Sequence, residues 1–369
     1  MTMLQFEIQL IAATTAIACS LVGVFLVLRR IAMASDAISH TVVLGIVIAF
    51  FLVRDLNSPL LIISAAATGV VTFVFVELLT KTELVKEDAA IGLVFPALFS
   101  IAVILISRYA TGVHLDIDSV LLGELAFAPF SRFSLFGVDI GPNALVVMSI
   151  ITVINLVFII LLYKELKLST FDAGLAATLG FMPGILHYAL ISLVSITAVG
   201  AFEAVGSILV VALMIGPPAT AYLLTDRLPT MLGLSAILGV VSAVSGYWVA
   251  HLLDSSIAGS MATMVGVLFL VTFLFAPNRG VIALIRRRKR QKWDFAKKML
   301  VIHLLNHEGK PDYAYESRVD HMHEEMSWKP EFARQVVNRA VNSKWIDRKN
   351  GRVDLTEKGR QIAHQTMES

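Results

Sequence analysis

The sequence has a single cysteine, few charged residues and no phosphate-binding loop, and each shortage excludes a class of protein. One cysteine, Cys19, cannot form an intrachain disulfide or supply a thiolate cluster for a soft metal. Charged residues make up only 16% of the 369 residues and hydrophobic residues 57%, which is too apolar for a soluble globular protein. Because no Gly-x-x-x-x-Gly-Lys-Ser/Thr run occurs, we expect no ATPase activity in this chain.

Long apolar runs fill the first three quarters of the chain. A bilayer core of ~30 Å requires about 20 apolar residues in a helix. We therefore predict an all-α polytopic membrane protein with about nine transmembrane helices, and we read the first run as a retained span rather than a cleaved signal peptide. The runs lie at residues 8–28, 37–53, 59–80, 89–107, 143–163, 184–201, 204–224, 231–252 and 258–276.

The positively charged residues indicate how these helices are oriented. Lys and Arg cluster on alternate loops, which the positive-inside rule places in the cytoplasm. These residues are Arg29, Arg30, Lys81, Lys86, Lys164, Lys167, Arg227 and the run from Arg286 to Arg290. We expect an N-terminus outside the cell and a C-terminus in the cytoplasm.

An acidic residue and a histidine stand four residues apart at the start of the second apolar run. On a helix this spacing puts Asp36 and His40 on one face, a turn apart. An ionisable group in hydrocarbon costs about 2.5–3.5 kcal/mol on insertion scales, so such a pair faces a partner, a cavity or an ion. Carboxylate oxygen and imidazole nitrogen are ligands of divalent cations. In the structural alternative, Asp36 and Ser35 cap the helix and His40 hydrogen-bonds a neighbouring helix.

A glycine- and alanine-rich stretch from Ala204 to Ala221 contains two adjacent prolines, Pro217-Pro218. Two prolines remove two backbone donors, which predicts a kink or a break near the cytoplasmic end of this span. After the break we expect a short helix from Ala219 to Thr230 that projects into the cytoplasm and docks on a soluble partner. A kinked helix followed by a plain turn is the alternative.

Two connecting segments depart from simple loops. The segment from Arg108 to Pro142 is long, and its apolar part, Val120 to Phe127, predicts a short interfacial helix. A simple extracellular cap is equally consistent with that segment. Lys164 to Gly180 predicts an amphipathic helix on the cytoplasmic surface.

Four sequence blocks with consistent spacing carry a resemblance to one family of membrane proteins. They are Asp36-Ala37-Ile38-Ser39-His40 with Gly45, Asp88-Ala89-Ala90-Ile91-Gly92, the stretch from Gly206 to Ala212, and the stretch from Pro218 to Leu223. From about residue 8 to residue 280 the chain resembles the permease subunits of ABC importers for manganese, zinc or iron.

The resemblance implies a multi-pass permease of a bacterial plasma membrane that transports Mn2+, Zn2+ or Fe2+ and holds no tightly bound cofactor. It also implies cytoplasmic ABC ATPase subunits, an extracytoplasmic metal-binding lipoprotein and a second permease, identical or paralogous. The residues that match Asp36 and His40 coordinate the cation in that family. The segment that resembles the helix coupled to the ATPase comprises Ala219, Thr220, Ala221, Tyr222, Leu223, Thr225, Asp226 and Arg227.

His187 begins the sixth span and is a further candidate metal ligand. A histidine at a membrane interface also serves as a hydrogen-bonded anchor, and that alternative stays open. Two other classes of protein compete with the importer. A secondary cation transporter would show repeated halves with broken helices, and a membrane-tethered regulator would not need about nine spans.

The chain changes character at Arg286, because 19 of its 30 Lys and Arg residues lie from there onward. We divide the sequence into a transmembrane permease domain (1–285), a basic juxtamembrane linker (286–293) and a cytoplasmic domain (294–369). The linker is typical of a segment attracted to anionic lipid.

The cytoplasmic domain is predicted to be a small α+β fold of the winged-helix type. Helices are expected at residues 296–307, 315–326 and 330–342, followed by a hairpin around Asn350-Gly351 and a closing helix. The stretch from Leu355 to Arg360 resembles the end of the wing in bacterial winged-helix repressors, including metal-dependent ones.

The charge of this domain favours a protein-contact or regulatory module over a DNA reader. Positive charge is concentrated next to the membrane, while the helix carrying Arg334 and Arg339 is only modestly basic. We therefore do not expect a nucleic-acid partner. His321 and His323 lie in an acidic run, residues 320–325, that offers ligands for a metal sensor, although such runs also form solvated helix faces.

Overall fold

The computed structural model describes residues 2–54, 58–109, 125–135, 138–318, 321, 326–349 and 351–368. The chain divides into two compact units, Met1–Gly280 and Val281–Ser369. Within the described residues, nine helices of the first unit are long and apolar enough to cross a membrane. The predicted polytopic helical architecture is therefore confirmed.

The first unit consists of helices and one hairpin. The helices are α1 (Met3–Leu28), α2 (Ala34–Val53), α3 (Pro59–Lys81), α4 (Glu87–Tyr109), α5 (Asn143–Leu161), α6 (Tyr163–Phe171), α7 (Ala173–Thr178), α8 (Pro183–Val205), α9 (Ser207–Leu224), α10 (Leu228–Leu253) and α11 (Ile257–Phe275). Strands β1 (Arg132–Leu135) and β2 (Val138–Pro142) form an antiparallel hairpin before α5. All the helices except α6 and α7 are membrane-spanning candidates.

Helix α1 lies at the centre of this unit and packs against α5, α8, α9 and α10. A helix buried on most sides needs no single apolar stripe, and α1 is apolar around its circumference. Its small residues permit close packing. A Cβ atom placed on Gly23 would lie 2.0 Å from the carbonyl oxygen of Met214 in α9, so these two backbones touch.

Helix α9 continues through both prolines, so the predicted break after Pro217-Pro218 and the separate helix from Ala219 to Thr230 are wrong. Pro218 has no N–H to donate to the carbonyl of Met214, four residues earlier. That carbonyl faces Gly23, where the missing side chain allows the backbone of α1 to approach. Packing by neighbouring helices is what makes proline tolerable in a membrane helix.

The connecting segments differ from their predictions in detail. The interfacial helix predicted from Val120 falls mostly on residues outside the described ranges. The described part contains a short 3-10 turn (Ala128–Phe130) and the β1–β2 hairpin, which Arg132 ties to Glu7 of α1 by an ion pair of 3.1 Å. Instead of the single surface helix predicted there are two helices, α6 and α7, because Asp172 ends the first and accepts a hydrogen bond from the N–H of Leu175 in the second.

The second unit has its own apolar core. Its elements are α12 (Val281–His307), α13 (Tyr313–Glu316), α14 (Pro330–Asn342), β3 (Ile346–Lys349), β4 (Arg352–Leu355) and α15 (Glu357–Glu368). Leu300, Leu304, Val336, Ile346 and Val353 are fully buried together in this core. Residues 286–293, predicted as a linker, are helical and lie inside α12.

The hairpin and the helices before and after it occur in the predicted order. Where a helix was predicted at 315–326, the described residues contain only the four-residue α13. Arg360 of α15 donates several hydrogen bonds to Glu308, just after α12, the shortest at 2.7 Å. These hydrogen bonds hold the pKa of the Glu308 carboxyl below its usual range. The assignment of this unit to the winged-helix class remains a prediction.

Candidate functional site

Asp36 and His40 lie together on one face of α2. The Nε2 atom of His40 is 3.5 Å from Oδ1 of Asp36, and about 30% of each side chain is exposed. Helix α2 begins at Ala34, and the hydroxyl of Ser35 donates to the carbonyl of Ala32, so Asp36 occupies the first turn rather than the capping position. A carboxylate there interacts favourably with the helix dipole. Both groups remain accessible to an ion.

Aromatic rings of α4 hold the imidazole of His40 from one side. Its ring stacks on Phe95 with centroids 5.5 Å apart and meets the edge of Phe99 at 6.2 Å. These ring contacts support the imidazole without using its nitrogen atoms. The Nε2 atom faces Asp36.

The opposite side of α2 is fixed to α3 by close backbone packing. A Cβ atom on Gly45 would lie 2.5 Å from the carbonyl oxygen of Ser64, whose hydroxyl donates to the carbonyl of Gly45 at 2.8 Å. One turn nearer the site, the hydroxyl of Thr72 donates to Thr41 at 2.9 Å. Small residues and interhelical hydrogen bonds are the usual means of helix association in lipid. The pair therefore stands on a rigid element.

His187 belongs to a different set of contacts. Arg29 donates to Nδ1 of His187 at 3.2 Å and to the hydroxyls of Ser169 and Thr170 at 2.9 and 3.1 Å. The imidazole also packs against Phe73, with ring centroids 5.3 Å apart. These contacts are those expected of a hydrogen-bonded anchor, and the ligand role of His187 stays a prediction.

The proposed coupling segment is the end of α9 and the exposed turn before α10. The backbone N–H of Arg227 donates to the hydroxyl of Thr225 within this turn. Arg279, which the sequence reasoning did not single out, donates to the carboxylate of Asp226 and to the carbonyl of Tyr222, the latter at 2.8 Å. Its guanidinium also lies over the Tyr222 ring, 4.5 Å from the centroid. Arg279 thus fixes the shape of a turn that a partner could contact.

In the second unit, His321 lies beside a carboxylate rather than in an acidic helix face. Its Nε2 atom is 3.4 Å from Oε2 of Glu316. His323 falls outside the described residues. His303 and His307, four residues apart on α12, lie near the same carboxylate. Their i, i+4 spacing was the available sequence signal, and it was overlooked.

The comparisons with known proteins agree on one family. The family profile described as "ABC 3 transport family" matches residues 2–276. The chain is 45% identical over 365 residues to the "Zinc transport system membrane protein TroD" of Treponema pallidum, covering 99% of both chains. It is 49% identical over 281 residues to the "Manganese transport system membrane protein MntD" of Bacillus subtilis, covering 76% of this chain and 95% of the relative.

A solved structure shares the fold over most of the chain. It is titled "PsaBC from Streptococcus pneumoniae in complex with Fab", with 26% identity and a TM-score of 0.64. The match covers 77% of this chain and 95% of that chain.

Proposed function

Because the chain belongs to the ABC 3 transport family and is a permease subunit of a metal-type ABC importer, we propose that Asp36 and His40 bind its cargo ion. The cargo is a divalent transition metal, Mn2+, Zn2+ or Fe2+. The observation that supports this assignment is the geometry of the pair: a carboxylate oxygen and an imidazole nitrogen 3.5 Å apart, on one helix face, both partly exposed.

One permease supplies too few ligands for a transported ion. Zn2+ takes four ligands, and harder cations take about six or more. The Asp36–His40 face is incomplete in one chain, and α4 beside it is exposed along most of its length. A second permease facing the first would bring two carboxylates and two imidazoles together. For transport, such a site must hold the ion loosely enough to release it.

The energy for transport comes from separate ATPase subunits in this proposal. The sequence has no phosphate-binding loop of its own. We assign contact with the ATPase to residues 219–227, whose turn Arg279 fixes through Asp226 and Tyr222. An extracytoplasmic metal-binding lipoprotein would deliver the ion, and the N-terminus would lie outside, as the placement of Lys and Arg indicates.

Removing either ligand should stop transport while leaving the protein in the membrane. We expect Asp36→Ala and His40→Ala each to reduce cellular accumulation of the cargo metal at least tenfold. The physical reason is that the pair serves the ion, while α2 is held by its contacts with α3 on the other side. Cellular metal content by mass spectrometry, normalised to membrane abundance, measures the effect.

The matched control uses the same residue types at an exposed helix end. His251→Ala and Asp254→Asn change an exposed histidine and an exposed aspartate at the end of α10. They should leave uptake near the wild-type level. Normal uptake by both Asp36→Ala and His40→Ala would refute the assigned site.

A further inference from the structure

Four side chains that carry metal-binding atoms converge in the second unit, and none of them belongs to the residues assigned above to transport. His303 and His307 lie on α12, Glu316 ends α13, and His321 follows shortly after. One ligand atom from each of His303, His307 and Glu316 lies within 4.8 Å of the others. His321 approaches the same carboxylate oxygen of Glu316 from its own position in the chain.

The distances fit a single bound ion. Oε2 of Glu316 is 3.5 Å from Nε2 of His303 and 3.4 Å from Nε2 of His321. Two ligand atoms bound to one tetrahedral ion at ~2.0–2.1 Å are about 3.4 Å apart. His303 and His307 stand one turn apart on the same helix face, with ring centroids 4.7 Å apart. This spacing lets two histidines of one helix bind the same metal.

The central carboxylate is almost inaccessible to water. Only 11% of the Glu316 side chain is exposed, and the exposed fractions of His303 and His321 are 11% and 12%. A carboxylate in such surroundings needs a compensating positive charge. A divalent cation supplies that charge and uses all the surrounding nitrogen atoms as neutral ligands. A protonated histidine supplies it without a metal, and the experiment below separates the two.

A second carboxylate orients one of the histidines. Nδ1 of His307 is 2.8 Å from Oδ2 of Asp312, and this hydrogen bond lowers the pKa of the Asp312 carboxyl. A histidine that donates from Nδ1 keeps the lone pair of Nε2 for a metal. Metal-binding histidines usually donate their other ring N–H to a carboxylate in this way, which fixes the tautomer and raises the basicity of the ligand.

We propose that His303, His307 and Glu316, with His321 as the fourth ligand, bind one divalent transition-metal ion in the C-terminal unit. Three imidazoles and a carboxylate favour Zn2+, Mn2+ or Fe2+ over Mg2+ and Ca2+, which prefer oxygen ligands. The site shares no residue with the proposed cargo site at Asp36 and His40. Its existence depends on neither the cargo site nor transport.

Co2+ is a suitable probe, because its d–d absorption reports imidazole ligands and four-coordination. We would titrate metal-stripped, full-length protein in lipid nanodiscs and record the bound equivalents. His303→Ala and Glu316→Gln should each remove one equivalent of Co2+ per chain, or weaken its binding at least tenfold. His364→Ala, which changes an exposed histidine of α15 in the same unit, should bind as wild type. The Asp36→Ala protein should still bind this equivalent of Co2+. That result would distinguish binding in the C-terminal unit from binding at the proposed cargo site.

If folded His303→Ala and Glu316→Gln proteins bind Co2+ with wild-type stoichiometry and affinity, the proposal is overturned. Glu316 and the histidines beside it would then form a buried ion pair without a metal. Should these variants misfold, the wild-type protein still decides the matter. Diethyl pyrocarbonate modifies accessible imidazoles, and mass spectrometry locates the products. Saturating Zn2+ should protect His307, whose side chain is 25% exposed, but not the exposed His364. Equal modification of His307 with and without Zn2+ would likewise overturn the proposal.

Discussion

Gly45 and Gly92 both belong to sequence blocks that carry the family resemblance, but the structure gives them opposite surroundings. A Cβ atom at Gly45 would lie 2.5 Å from the carbonyl oxygen of Ser64 and 2.7 Å from Cα of Ala65, both backbone atoms of α3. At Gly92, no atom of the described residues lies within 4 Å of the corresponding position. A methyl group at Gly45 therefore forces α2 and α3 apart, whereas one at Gly92 meets open space.

We expect Gly45→Ala to destabilise the membrane unit and Gly92→Ala to leave it as stable or slightly more stable. Overpacking of this kind costs about 1–3 kcal/mol, while alanine in place of glycine inside a helix gains up to about 1 kcal/mol. Thermal unfolding in detergent, followed by size-exclusion chromatography, measures both. Because α2 carries Asp36 and His40, Gly45→Ala should also lower metal uptake. Equal stability of the two variants would contradict the backbone contact.

The two proposed metal sites differ in how far the sequence could reveal them. Asp36 and His40 are four residues apart on one helix, so local spacing alone predicts that their side chains meet. The cluster around Glu316 depends on how the chain turns between α12 and α13 and then reaches His321. That turn brings together residues up to 18 positions apart in sequence, beyond the reach of one helical turn. The helical spacing of His303 and His307 was visible, but their carboxylate partner was not.

At the scale of elements, the apolar runs predicted the membrane-spanning helices well, because each needs about 20 residues to cross a bilayer. The prediction was wrong where a local rule depended on tertiary contacts. Two adjacent prolines normally interrupt a helix in water. In α9 the carbonyl freed by Pro218 faces Gly23 of α1, and the helix continues. The sequence shows the prolines but not the partner helix that accommodates them.

The turn between α9 and α10 should lie in the cytoplasm against the ATPase. In a Cys19→Ser background, we expect Arg227→Cys to cross-link to an ATPase subunit, because this residue is exposed at the start of α10. Leu253→Cys, exposed at the other end of the same helix, is the matched control and should not cross-link. A membrane-impermeant thiol reagent added to intact cells should label Leu253→Cys only. Labelling of Arg227→Cys instead would reverse the proposed orientation.

At the scale of the whole molecule, the chain joins a family-type permease to an additional unit. The match to MntD covers 76% of this chain, whereas the match to TroD covers 99% of it, tail included. The family profile ends at residue 276, close to the division between the two units at Gly280. The membrane unit contains the proposed cargo ligands and the proposed coupling turn. Transport should therefore be intrinsic to that unit, and control should belong to the C-terminal one.

A chain that ends at Gly280 should insert, assemble with its ATPase and transport metal, because its spans and both proposed functional segments are complete. If the C-terminal unit restrains transport when its site is occupied, this chain should continue uptake at intracellular metal concentrations that slow the full-length protein. His303→Ala in the full-length chain should reproduce that behaviour, since it removes a ligand and keeps the unit.

Two roles of the C-terminal unit remain to be separated: it restrains transport when metal is bound, or it only supports the ATPase subunits mechanically. Uptake curves across a range of metal concentrations, at matched protein abundance, separate the two. Restraint predicts equal uptake at low metal and divergence at high metal for both variants. A unit that only braces the ATPases predicts lower uptake by the truncated chain at every concentration and a wild-type curve for His303→Ala. Complete loss of transport in a truncated chain that still binds its ATPase would show that the membrane unit is not a complete permease, because its ligands and coupling turn would then be insufficient for transport.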